Sequence, residues 1–413
     1  MSTTDFPGTA IATKAGWLQG HCVKSGRVGI EFDSTLSLPS GFIIESEEGL
    51  AVLDLALDRN ALRIVGTPNK SGEFDILLHG TLENDSKPST VVLTLNINPD
   101  PTTLWKDIPS DQNGPYARAD TYHATLQGND RLTIVAASRR GRRHAHKGDY
   151  RDDAAAIHYC EKTGWHIACV ADGAGSATFS REGAHIAVNT MTEILPEALS
   201  QLKPNAFGEK NPTLCKCMVD VATEAARRIE EQAMWKEKAV VEYSTTLIVA
   251  AIKKVGSEWV CVSFSIGDGG CAIWDADNTA LIPMSLADSG EFAGETRFLD
   301  SRILSDAHTC MDRLFLCRVP TFTGVFLMTD GVSDPWFETE HAMQDADNWT
   351  QFWNSQLAPL FVCNRAEYSS RLLQWLEFFV TGEHDDRTLA AFIAPTETPG
   401  NTTNAEADPA CNP

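Results

Sequence analysis

Five short segments set carboxylates beside glycine or at the ends of apolar runs. They are Arg151-Asp152-Asp153-Ala154, Ala171-Asp172-Gly173-Ala174-Gly175-Ser176, Gly267-Asp268-Gly269, Thr329-Asp330-Gly331 and His384-Asp385-Asp386-Arg387-Thr388. A lone Asp-Gly is a turn signal; the set carries more. Ile167–Ala171 and Val325–Thr329 are almost wholly apolar, so Asp172 and Asp330 stand where buried strands emerge. A carboxylate there is desolvated unless it is paired or binds a cation. No Lys or Arg adjoins either Asp-Gly. Oxygen donors without Cys or paired His ligands favour hard cations, Mg²⁺ or Mn²⁺. Two such ions held ~4 Å apart generate a nucleophile from water at neutral pH and steady a departing oxygen. Glycine after the aspartate lets the backbone approach and offer its carbonyl.

Hydropathy patterning supplies the elements that hold these residues. The apolar strand Leu132–Ala137 opens a domain. From Ser180, a candidate N-cap, apolar positions Ala184, Ala187, Val188, Met191, Ile194 and Leu195 recur at helical spacing. A second helix runs through Cys217, Met218, Val221, Ala225 and Ile229. Strands follow at Thr245–Ile252, Trp259–Ile266 and Gly324–Met328. A last helix presents Leu372, Leu373, Leu376, Phe379 and Val380, and a strand at Leu389–Ile393 closes the domain. Upstream, Leu93-Thr-Leu95-Asn-Ile97-Asn98 alternates strictly, as do Phe74, Ile76 and Leu78, with a turn cluster at Thr67–Gly72. These short strands predict a small β-sandwich. The predicted organisation is a loose lead-in over 1–20, the sandwich over 21–99, a linker over 100–122, the larger domain over 123–395 and a disordered tail over 396–413.

Composition narrows the class. Of 413 residues, 43% are hydrophobic and 22% charged, as in ordinary globular protein. The net charge of −22 argues against a nucleic-acid partner, whose phosphates need clustered Lys and Arg. Apolar runs such as Leu247–Ile252 fall well short of the ~18 residues a membrane helix needs, and MSTTDFPGTA lacks a secretory signal's pattern. The 11 cysteines are odd in number and form no Cys-x-x-Cys, which reads as reduced thiols in a cytoplasm.

The order Asp152-Asp-Ala154, Asp172-Gly-x-Gly-Ser176, Ser244-Thr-Thr-Leu247, Gly267-Asp-Gly269, Thr329-Asp-Gly-Val332 and Asp385-Asp-x-Thr388 resembles the metal-dependent protein phosphatase family (PPM, or type 2C). Gly141-Arg-Arg-His144, Gly148, Ser180-Arg-Glu-Gly-Ala184 and Gly290–Thr296 resemble a bacterial branch of it. The resemblance covers about 125–395. It implies an α+β fold, a four-layer αββα sandwich, that hydrolyses phosphoserine and phosphothreonine through a hydroxide bridging two Mn²⁺ or Mg²⁺ ions. It also implies that Asp172 bridges both ions and that the Gly173 carbonyl completes one shell. Asp330 and Asp385 would hold the first ion, Asp153 with Asp152 the second, largely through water, and Asp268 with Asp330 a third, weaker one. The implied partner is a phosphorylated protein, a cytoplasmic Ser/Thr kinase or its targets. The upstream domain is similar, through Ala61–Pro68 and Gly72–Leu78, to bacterial immunoglobulin-like modules. It would be a spacer or a docking surface.

Two positions depart from the family pattern. Ala174 stands where many members have a proton-donating His; the acid would then be metal-bound water or another group, with His144 a candidate. Gly148 stands where animal-type members have a phosphate-binding Arg; Arg142 or Arg143 would substitute, unless this basic run is a solvated loop. No Cys-x5-Arg loop or Gly-x-Ser-x-Gly elbow offers a covalent alternative. The competing readings are a catalytically silent regulator of the same fold and a hydrolase of a small phosphomonoester.

Overall fold

The structure, a computed structural model, describes residues 17–83, 85–286, 296–337, 339–362 and 364–395. The predicted tail, most of the lead-in and residues 290–295 of the Gly290–Thr296 run lie outside the described residues. The chain divides into two compact units, Met1–Trp105 and Lys106–Pro413.

Among its described residues, the first unit is built of strands and two short 3-10 turns. Its sheet path runs Phe42–Glu48, Gly72–Leu82, Asp85–Asn98, Trp17–Cys22, Phe32–Ser37, Arg63–Gly66, Leu55–Asp58. Alternation does the sorting: Ile76 and Leu78 on one long strand and Val91, Leu93, Leu95 and Ile97 on its partner form the core with Leu50, Leu53 and Ile64. The first strand starts at Trp17, inside the stretch read as a lead-in.

The second unit stacks two antiparallel sheets. Its strands are β1 (Thr121–Gln127), β2 (Thr133–Arg139), β3 (Ala154–Tyr159), β4 (His166–Ala171), β5 (Leu247–Val255), β6 (Glu258–Ile266), β7 (Gly270–Asp275), β8 (Ala280–Pro283), β9 (Leu314–Val319), β10 (Gly324–Met328) and β11 (Arg387–Ile393). One sheet has the order β8-β7-β10-β11-β2-β1, the other β3-β4-β5-β6-β9. Both faces of the central strands are covered, which is why they read as unbroken apolar runs. On β4, Ala168 and Val170 face the opposite sheet, while Ile167, Cys169 and Ala171 meet helices α2 (Ser180–Ser200) and α3 (Pro212–Trp235). On β2, Ile134 and Ala136 point between the sheets; Val135 and Ala137 meet α5 (Ala346–Phe352) and α6 (Tyr368–Trp375) on the outer side. Two short helices near the strand ends, α1 (Arg142–Lys147) and α4 (Asp330–Trp336), complete the site end. The result is the four-layer αββα sandwich. No helix among the described residues is long and apolar enough to cross a membrane.

Three local expectations need correction. Ser180 does not cap α2; it is the first helical residue, and its hydroxyl donates to the Ala177 carbonyl. The last helix stops at Trp375, because Phe378 and Phe379 turn back to cover the guanidinium groups of Arg387 and Arg142. Residues 106–120 are no free linker. Arg140 donates to Asp107 and to the Ile108 carbonyl, Arg181 to the carbonyls of Pro115 and Tyr116, and the Tyr116 and Tyr243 hydroxyls meet at 3.1 Å. The segment straps the second unit.

A chain truncated to begin at Lys106 should therefore melt cooperatively on its own. One beginning at Thr121 strands the buried Arg140 and Arg181 and should lose roughly 2–4 kcal/mol. Urea midpoints of the two truncations check this; equal midpoints would return the segment to a linker.

Candidate active site

Asp172 leaves β4 at the sheet end, and its backbone is fixed by the next strand. Thr246 N–H donates to the Asp172 carbonyl (2.8 Å), Thr245 Oγ1 donates to the same oxygen (2.9 Å), and Asp172 N–H donates to Thr246 Oγ1 (2.9 Å). The Ser-Thr-Thr run therefore orients the aspartate by hydrogen bonds. Gly173 is required by close approach, since a Cβ there would lie 2.7 Å from the Asp152 carbonyl oxygen. Asp330 opens α4 at the end of β10, and a Cβ on the following Gly331 would lie 1.8 Å from the Asp386 carbonyl. Asp172, Asp268 and Asp330 each offer an oxygen within 4.8 Å of the others. Thr296 donates to Asp268 Oδ2 at 2.6 Å.

Beneath this cluster lies a wholly enclosed carboxylate. Asp386 accepts from the N–H groups of Gly141 (2.6 Å), Asp152 (2.5 Å) and Asp153 (3.3 Å) and from His144 Nδ1 (2.9 Å). It pins α1 and the loop before β3 to the start of β11. Asp153 is buried next to it and accepts on one oxygen from Thr329 (2.9 Å) and Thr388 (2.6 Å). The other oxygen of Asp153 is buried without a hydrogen-bond partner, as are Asp152 Oδ1 and Asp268 Oδ1. Orphaned buried oxygens on neighbouring carboxylates are what a divalent cation site presents, and an all-oxygen donor set fits Mg²⁺ or Mn²⁺.

The electrostatics agree. Burial and the charges of Asp153 and Asp330 push Asp172 well above the usual carboxylate range. Burial and Asp268, Asp153 and Asp385 raise Asp330 to about 8. Burial and Asp386 raise Asp152 and Asp153 each to about 7. Asp386 itself is held low: burial works upward, but the His144 hydrogen bond and charge and two backbone N–H donors outweigh it. For His144, burial works downward, but the bond and charge of Asp386, with Asp152 and Asp385, raise it to about 9.

The other sequence candidates are placed as follows. Asp385 is bound at 2.5 Å by Arg143, and its carboxylate groups within 4.8 Å with His144 and Asp386 rather than with Asp172, Asp268 and Asp330. Arg143 is half-exposed and faces Gly175, whose Cβ would come within 3.5 Å of its guanidinium. Arg142 turns the other way and donates to the carbonyls of Glu377 and Phe378. His144 is buried, with Nε2 3.9 Å from Asp152. Gly148 ends α1 in the left-handed region (φ 78°), a conformation that disfavours an Arg side chain there. Sequence reasoning assigned no role to Asp386, Thr329, Thr388, Arg151 or Arg181. Their signal was adjacency to the assigned aspartates, which says nothing of direction.

A sequence model of the protein phosphatase 2C family matches residues 140–377, more than half of the chain. The chain belongs to the protein phosphatase 2C family. It is thus a protein-serine/threonine phosphatase. No curated protein matches it in sequence. Among solved structures, a bacterial serine phosphatase is similar over 68% of this chain and 100% of its own, at 12% identity and a TM-score of 0.40. Stp1 from Staphylococcus aureus matches over 69% and 98%, at 11% and 0.35. The catalytic domain of PstP, solved with two manganese ions, matches over 63% and 97%, at 16% and 0.37.

The raised carboxylates fix a pH dependence for the phosphatase stripped of cations. A group whose folded pKa lies above its unfolded value stabilises fully below the unfolded value and loses that contribution as pH rises through the folded one. For Asp152, Asp153 and Asp330 the window runs from 3.8 to about 7 or 8. The chelated protein should lose melting temperature steadily from pH 5 to pH 8. A flat or rising profile across that range would contradict the shared-charge geometry.

Proposed function

We propose that this phosphatase removes phosphate from phosphoserine and phosphothreonine in proteins, using Mn²⁺ or Mg²⁺ held by its carboxylate cluster. The observation that carries the reading is the convergence of Asp172, Asp268 and Asp330 within 4.8 Å beside three orphaned buried carboxylate oxygens. Two divalent ions, with a third weaker one, would supply ionised water and neutralise the charge on the phosphoryl group. Asp172 would hold both principal ions and the Gly173 carbonyl one of them, Asp330 and Asp385 the first, Asp153 with Asp152 the second, and Asp268 with Asp330 the third.

The remaining residues orient. Asp385 reaches its role by exchanging Arg143 for a cation, which leaves that guanidinium at the cleft mouth to grip two phosphate oxygens. Arg142, spent on two carbonyls, is left out of substrate binding. His144, enclosed between Asp386 and Asp152, takes a positioning role in place of the leaving-group acid first assigned to it. Its positive charge holds two adjoining carboxylates in register. The natural substrates would be targets of a Ser/Thr kinase, with the first unit as a spacer or docking module.

Hydrolysis of an aryl phosphate should require added Mn²⁺ or Mg²⁺ and stop with EDTA. Asp172→Asn and Asp330→Asn should each lower kcat/KM by at least about a hundredfold, the upper end of what even outer-sphere changes cost, without lowering the melting temperature. Asp268→Asn should bind the principal ions yet turn over slowly. Arg143→Ala should raise KM, and Arg142→Ala should leave it unchanged. Full turnover after exhaustive chelation would sink the reading.

A further inference from the structure

A cavity of about 690 Å³ lies where α2 passes the edge strands β1 and β3. That volume is in the ~300–1,000 Å³ range of small-molecule sites. The alanine run that opens β3 lines the cavity, and Ala154 and Ala156 present only methyl groups toward α2. From α2, Arg181, His185 and Asn189 enter it on successive turns of one face.

The lining is cationic. Arg118, Arg151 and Arg181 face Asp153 and Glu193; Arg181 also lies 3.8 Å from Asp152, and Glu193 is already taken by Arg228 at 2.7 Å. Arg118 is paired with Glu182, yet its Nε–H is buried with no acceptor. His185 registers the positive field: burial, Arg118 and Arg151 push its imidazole down to about 4.

The cavity is also wired to the carboxylate cluster. Arg151 donates to Ser138 Oγ (2.6 Å), Ser138 and Thr388 hydroxyls meet at 2.7 Å, and Thr388 donates to Asp153 Oδ2 (2.6 Å). Because Thr388 spends its proton on Asp153, Ser138 must donate to Thr388. The three bonds therefore point one way and polarise one another. Arg151 donates to the Asp153 carbonyl as well (2.8 Å).

We propose that this cavity binds a small organic anion, a carboxylate or a phosphate compound, and that occupancy tightens the hold of Asp153 on its cation. The cationic charge of Arg151 opposes a metal ion at Asp153, and an anion in the cavity offsets it. By linkage the metal tightens the anion equally. The coupling rests on Asp153 holding a cation, as proposed above, whereas anion binding stands without it.

The test titrates the full chain separately with succinate and inorganic phosphate, loaded with diamagnetic Mg²⁺ for the resonance measurements and freed of cations for the Mn²⁺ calorimetry. Two readouts are followed: the ring ¹⁵N resonances of His185, and Mn²⁺ affinity by calorimetry. The expected result is saturable displacement of the His185 resonances and a Mn²⁺ affinity raised about fivefold, the lower end of typical coupling. Both effects should vanish in Arg118→Gln and in Asn189→Phe, which fills the exposed rim without touching the core. A response to succinate alone identifies a carboxylate ligand, and to phosphate alone a phosphate ligand. No saturable displacement with either anion overturns the site. Displacement that persists in both variants also overturns it, placing the anion in the catalytic cleft. Displacement without any change in Mn²⁺ affinity overturns the coupling, and loss of Mn²⁺ binding altogether overturns the metal reading instead.

Discussion

Carboxylates repel one another, and this phosphatase gathers at least six of them at one end of a sandwich: Asp152, Asp153, Asp172, Asp268, Asp330 and Asp386. Only Asp386 is fully compensated from within the protein, by His144 and three backbone N–H groups. Its ionised state is the anchor of the site. Four of the others are lifted toward or beyond neutrality by burial and by each other. Such an arrangement survives either by holding protons or by holding cations, and exchanging one for the other is the chemistry that a metal-dependent hydrolase needs.

The rest of the fold serves that concentration of charge. Strands β4, β10 and β11 are apolar on both faces because sheets and helices cover them, so their ends are rigid and nearly dry. Each ends in an aspartate or begins with one close by. Threonines at neighbouring strand ends supply the short hydrogen bonds: Thr245 and Thr246 set Asp172, and Thr329 and Thr388 set Asp153. Glycines at 173 and 331 let the loops touch where any side chain would collide. Position thus comes from packing, and direction from a few hydroxyl groups.

Much of this was legible in the sequence, for reasons that can be named. Gly324–Met328 is a strand with the bounds its apolar run gives, since the run is closed by Thr-Asp-Gly. The amphipathic pattern after Ser180 gives α2, and the order of the Asp motifs gives the family. What stayed hidden depends on direction or on distant partners. Asp385 and Asp386 are adjacent, and only the backbone's turn decides that one faces Arg143 and the other the interior. Arg142 and Arg143 sit on a short helix about 100° apart, so one lies over the carbonyls near Phe378 and the other reaches the cleft. Residues 106–120 lack periodicity and looked like a linker. Their order is imposed by Arg140 and Arg181, whose positions in sequence give no hint of it.

The most direct test of the account is anomalous diffraction from crystals of the full chain grown with Mn²⁺ at neutral pH. The account predicts two strong manganese peaks about 4 Å apart, both within bonding distance of the Asp172 carboxylate, with Arg143 released from Asp385. Manganese found only on surface carboxylates, with Asp172, Asp268 and Asp330 still facing one another and no ion among them, would contradict it.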